Sequence, residues 1–132
     1  VKEVLNDCFD KAEKLGALAT RPIRTDHPYH TIFLKDLSDA FSQFLDTLPY
    51  TTPKYRVLSL IDGKAITPDN LVDKVVRSIF TPLRFDLVID TLYRDYHILV
   101  LYETGPSKSM KKLVNYINKK LTVHLFEEEM AC

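Results

Sequence analysis

The sequence predicts an α+β fold: a βαββαβ, ferredoxin-like split βαβ unit preceded by two N-terminal helices. Three observations predict it. Apolar residues recur at helical spacing over residues 1–16 and 32–48. After Pro53, short apolar runs rich in Val, Leu and Ile take over. The order of elements from Tyr55 then reads strand, helix, strand, strand, helix, strand. A chain of 132 residues holds one domain, 1–132. Its parts are a helical stretch 1–50, an α/β core 54–126 and an acidic tail 127–132.

The first helix spans residues 1–16, with Val4, Leu5, Cys8, Phe9, Ala12 and Leu15 on one face and Gly16 as its stop. Pro22 and Pro28 make residues 17–30 irregular, because a proline disfavours helix at the residue before it. A second helix runs over 32–48, with Leu34, Leu37, Phe41, Phe44, Leu45 and Leu48 as its stripe. Its apolar side chains call for a partner, so it is expected to pack on the α/β core. Tyr55 to Ile61 reads as a buried strand and Asp62-Gly63-Lys64 as a turn. Thr67-Pro68 is a helix start, a hydroxyl cap followed by proline at the first helical position. Leu71, Val72, Val75, Val76, Ile79 and Phe80 continue that helix until Pro82. Strands are predicted at Phe85–Ile89 and Tyr96–Glu103. Ser107 caps a last helix with Met110, Leu113, Val114, Ile117 and Leu121 inward, and Thr122–Phe126 is a final strand.

In the predicted topology the first and third strands are central, and they hold the two richest apolar runs. Alternation puts Tyr55, Val57, Ser59, Ile61, Tyr96, Ile98, Val100 and Tyr102 on the face opposite the core helices. That face is too apolar to stay in water. The N-terminal helices are expected to cover it; a second chain, including a homodimer partner, is the alternative.

Composition narrows the function. Lys+Arg and Asp+Glu are both 18, which counts against an electrostatic, sequence-blind nucleic-acid binder. Three glycines, at 16, 63 and 105, cannot build a phosphate-binding loop, and no Gly-x-Ser-x-Gly elbow is present. Cys8 and Cys132 are far apart in sequence and read as free thiols of a reducing compartment. No run approaches the ~20 apolar residues of a membrane span. The chain reads as a domain of a longer intracellular protein, cytoplasmic or nuclear.

Four constellations bear on chemistry. Tyr55, Tyr96 and Tyr102 stand where base-stacking aromatics stand in RNA-recognition sheets, but residues 95–102 lack the Lys/Arg-Gly-aromatic opening of that motif. Lys108, Lys111, Lys112, Lys119 and Lys120 make a basic stripe, with no acid between Thr104 and Phe126; Arg21 and Arg24, with His27 and His30, make a smaller basic arm. Asp86, Asp90, Glu103 and Lys108 resemble the acid–acid–lysine set of metal-dependent nucleases, at the wrong spacing. His27, His30, His97 and His124 have no carboxylate or cysteine at ligand spacing, so neither a metal site nor a His-based catalytic pair is expected. The reading is therefore a non-catalytic protein-interaction or assembly domain without cofactor, its partners other proteins or subunits of a parent complex. A nucleic-acid-binding module is the alternative and a nuclease-like domain a distant third.

Overall fold

A computed structural model of the chain describes residues 2–22, 25–105 and 109–126. It opens with α1 (Lys2–Lys14). A 3-10 turn, Ile32–Leu37, runs into α2 (Ser38–Asp46). Then follow α3 (Pro68–Phe80), α4 (Phe85–Arg94), β1 (Val100–Glu103), α5 (Ser109–Ile117) and β2 (Thr122–Leu125). The expectations for Arg24, Ser107, Lys108, Cys132 and the 127–132 tail lie outside the described residues.

Local chemistry explains the helices that the sequence predicts. α1 stops where Gly16 takes φ 98°, and the Ala17 N–H reaches back to the Ala12 carbonyl at 3.0 Å. At the head of α3, the Asn70 side chain accepts from the Thr67 N–H at 2.9 Å and donates to the Ala65 carbonyl at 3.2 Å. The predicted 32–48 helix is split into the 3-10 turn and α2, both packed on α3. Leu45 is its buried anchor, whereas Phe44 and Leu48 remain exposed.

The core gathers at the other end of the chain. β1 and β2 pair in parallel, with Val100 opposite Thr122 and Glu103 opposite Leu125. Parallel strands need a crossover, and α5 supplies it. Ile89, Val114, Leu121 and Val123 close the core, with Phe85, Leu92, Leu101 and Ile117 against them. Each such side chain withdrawn from water contributes ~1.5–3 kcal/mol.

The ferredoxin-like prediction is wrong. Phe85–Ile89 is not a strand but the first half of α4. Apolar residues at 85, 88, 89, 92 and 93 follow the helical period, which a five-residue window cannot reveal. Tyr55–Ile61 is not a strand either: it holds one bridge, Leu58 to Ala65, closed by the turn after it. The Tyr96–Glu103 strand shortens to Val100–Glu103, because His97 turns the chain at φ 55°. Among the described residues, two parallel strands replace the four expected. The expected cover of the sheet face by the N-terminal helices is not found: Val57, Ile98, Val100 and Tyr102 are exposed, while Ser59 and Ile61 are buried elsewhere.

Candidate active site

The loop before α2 is tied to itself in a way that presents one histidine. The Thr25 hydroxyl donates to the His27 carbonyl at 2.8 Å, and the Tyr29 N–H donates to the same oxygen at 2.9 Å. The Thr31 hydroxyl donates to the Pro28 carbonyl at 2.6 Å. Between these ties His30 adopts φ 61°, a left-handed conformation that a non-glycine residue holds only when its surroundings impose it.

What imposes it is the C-terminal end of α3. The last carbonyls of a helix lack intrahelical donors. For Ser78 the donor four residues on would be residue 82, which is proline and has no N–H. For Ile79 it would be Leu83, and the chain has already left the helix through an extended Thr81. His30 satisfies both carbonyls. Its backbone N–H donates to Ile79 O at 2.9 Å. Its ring Nδ1 lies 2.6 Å from Ser78 O. A carbonyl only accepts, so Nδ1 carries the hydrogen, and in the neutral ring Nε2 is the bare nitrogen. The result is an exposed imidazole, anchored twice, whose free nitrogen can take a proton from a partner.

His30 stands at the edge of a cavity of about 280 Å³, also lined by Ser59, Leu60, Lys74, Ser78 and Leu83. The wall opposite α3 is the Ser59–Lys64 turn. It is closed by Ser59 N–H to Lys64 O and Gly63 N–H to Ser59 O, both 2.8 Å. Lys74, buried on α3, forms an ion pair with Asp62 of this turn. Burial alone would push the Asp62 carboxyl up. Hydrogen bonds from Lys74 and the Lys64 N–H, and the charges of both lysines, outweigh it and hold the group below the usual carboxylate range.

A larger cavity, about 410 Å³, lies between α5 and the end of β1. The ends of parallel strands and the start of a helix often bind anions. Here the carboxylate of buried Glu103 already takes the Met110 and Lys111 N–H groups, at 3.1 and 2.9 Å. That carboxylate would repel a second anion.

The residues singled out in the sequence do not converge. Tyr55 is exposed beside Lys54, Tyr96 lies under the Arg56 guanidinium at 4.4 Å, and Tyr102 stacks on His124 across the sheet at 5.4 Å. Of the three tyrosines only Tyr102 is on a strand, so they form no aromatic platform. Lys112, Lys119 and Lys120 are exposed; Lys111 is half-buried, and Lys120 approaches the Tyr93 ring at 5.7 Å. Arg21 is exposed. The nuclease-like set dissolves, because Asp86 pairs with Arg84 at 2.6 Å, Asp90 faces Arg94, and Glu103 caps α5. Among the described residues no cluster of three or more metal-ligating side chains occurs. In the sequence His30 is one of four histidines without a carboxylate or cysteine at ligand spacing, and its partners in the structure are backbone carbonyls. The one available signal was Pro82, four positions after Ser78, which frees a carbonyl without saying what claims it.

No family model matches the chain. Among curated proteins it is similar to the malonyl CoA-acyl carrier protein transacylase of Staphylococcus aureus strain MSSA476, 23% identical over 124 residues. That match covers 92% of this chain and 40% of the relative. The protein of the same name from Buchnera aphidicola (subsp. Schizaphis graminum) is 25% identical over 114 residues, covering 86% of this chain and 36% of its own length. Of solved structures, the acyl-carrier-protein S-malonyltransferase of Burkholderia pseudomallei 1710b superposes with TM-score 0.81 and 25% identity over 91% of this chain and 39% of the other. A malonyl-transacylase in complex with its type II PKS acyl-carrier protein gives TM-score 0.84 and 21% identity, covering 94% and 40%. The chain thus has the fold of a part of malonyltransferases and spans about two-fifths of the curated S. aureus relative's length. These likenesses overturn the expectation of a non-catalytic interaction or scaffold domain. They equally overturn the nucleic-acid-binding and nuclease-like alternatives, because the relatives and superposed structures reported above are named as malonyl transacylases and S-malonyltransferases.

Proposed function

We propose that this chain is the histidine-bearing part of an acyltransferase that moves a malonyl group from coenzyme A to the thiol of an acyl carrier protein, with His30 as the general acid–base. The observation that carries this reading is the double anchoring of His30 on the end of α3, which leaves Nε2 bare at the edge of a cavity. The names of the relatives and of the superposed structures support the substrate class.

The chemistry follows from the geometry. A hydroxyl or thiol nucleophile is a poor attacker until a base takes its proton. His30 Nε2 accepts that proton as the nucleophile adds to the thioester carbonyl. The tetrahedral adduct then collapses, its C–S bond breaks, and the imidazolium returns the proton to the departing coenzyme A sulfur. In the second half the carrier-protein thiol gives its proton to the same nitrogen, attacks the acyl-enzyme, and releases the nucleophile, which is reprotonated. Ser78 O stabilises the imidazolium in both halves and keeps the ring from flipping. These 132 residues contain no Gly-x-Ser-x-Gly elbow, so in this reading the nucleophile comes from protein outside them.

Coenzyme A carries phosphates, as does the phosphopantetheine arm of a carrier protein. The lysines of residues 108–120 give the chain a local positive field that would favour their approach. Coenzyme A thioesters make the setting intracellular. Among the described residues no helix is long and apolar enough to cross a membrane.

The test is a chimera in which this chain replaces the matching stretch of the S. aureus transacylase. Malonyl transfer to carrier protein should be retained, and His30→Ala should lower kcat by about 10²–10⁴. An active chimera indifferent to His30→Ala would refute the assignment.

A further inference from the structure

We propose that Lys74 is a positioning residue for His30: its ion pair with Asp62 clamps the Ser59–Lys64 turn onto α3, one helical turn from the carbonyl that orients the imidazole. The proposal rests on the reading of His30 as the base, and it adds a residue of the cavity wall to that site. Lys74 and Ser78 are four apart in α3, so they share a face. Both line the same cavity as His30 and Ser59. The Lys74 side chain is only 9% exposed, and its ammonium is paired with Asp62. The turn it holds is locally rigid, since the Asp62 carboxylate also accepts from the Lys64 N–H at 3.2 Å and the Ser59 hydroxyl from the Ile61 N–H at 3.2 Å. On its other side the turn is fixed just past α3 by the Arg84 N–H on Leu60 O, at 2.6 Å. The Lys74–Asp62 pair is thus the tie from the turn to the body of α3, beside the backbone tie to the chain that follows the helix.

Stability gives little reason for a buried ammonium here. Replacing a buried ion pair by apolar groups of similar volume is often neutral or stabilising. What an apolar contact cannot supply is a directional link between this turn and this helix face. Lys74→Met removes the link while keeping the volume, and it leaves Asp62 able to reach water, so the fold should survive.

The experiment labels the four histidines of the 132-residue chain with ¹⁵N and follows each ring, together with exchange of the His30 backbone N–H. In the unaltered chain His30 should carry its proton on Nδ1. In Lys74→Met, with cooperative melting retained, His30 should become a mixture of tautomers and its N–H should exchange roughly tenfold faster. His97 and His124, remote in sequence from the clamp, should not change. Lys74→Arg should restore the unaltered pattern. If Lys74→Met fails to fold, Lys74→Leu, which also removes the charge and the link, is read in the same way. A folded variant whose His30 signals match the unaltered chain overturns the positioning role. A proton on Nε2 in the unaltered chain would instead overturn the base assignment, so the two failures are distinct.

Discussion

Gly63 and Asp62, adjacent in one turn, show how single residues hold in place the turn whose Ser59, Leu60 and Ile61 line the cavity. Gly63 has φ 70°, and a Cβ there would come within 2.8 Å of the Leu87 carbonyl, so only glycine lets the turn lie against α4. Asp62 closes the turn from the α3 side. Its folded pKa is depressed, so its contribution to stability is complete above the unfolded value of about 3.9 and is lost as the pH falls through the lower folded value. Asp62→Asn should therefore be less stable than the unaltered protein near neutral pH, with the two melting curves converging at the acid end. A stability difference between the two proteins that stays constant as the pH falls through that window, measured by circular dichroism, would count against the clamp. His30 shows why residue-level function was hard to read from sequence. Its ring partner lies 48 positions away, and the feature that matters is a carbonyl, which every residue has.

At the scale of elements, legibility followed whether the signal was local. α3 was readable because its cap, its proline and its stripe all lie within residues 67–80. Asn70→Ala removes both side-chain bonds at its head and should cost about 1 kcal/mol, a drop of several degrees in Tm. An unchanged Tm would mean that tertiary packing alone starts the helix. The start of α4 reads as a strand because its first five residues, taken alone, are as apolar as one. The following Leu92 and Tyr93 complete the helical period. The predicted strand over Tyr55–Ile61 failed for a different reason. Its apolar residues serve a turn and a cavity wall, where Ser59 and Ile61 are buried without a ladder. The predicted Thr122–Phe126 strand ends one residue beyond β2.

For the whole molecule, the unfinished surface is the informative feature. A two-stranded parallel sheet is unusual alone, because parallel sheets are covered on both faces. Here Val100 and Tyr102 of β1 remain exposed, as do Leu99 and Ile98 before it. The alternation of apolar residues already called for cover on this face, and the N-terminal helices or a second copy were the expected source. In the proposed acyltransferase reading the cover comes from protein outside these residues, which also brings the nucleophile. One measurement tests that most directly: the pre-steady-state release of coenzyme A from malonyl-CoA by the chimera carrying this chain. A nucleophile activated by His30 predicts a burst stoichiometric with enzyme, which His30→Ala abolishes while His97→Ala leaves it intact. A burst of equal rate and amplitude in His30→Ala would contradict His30 as the base.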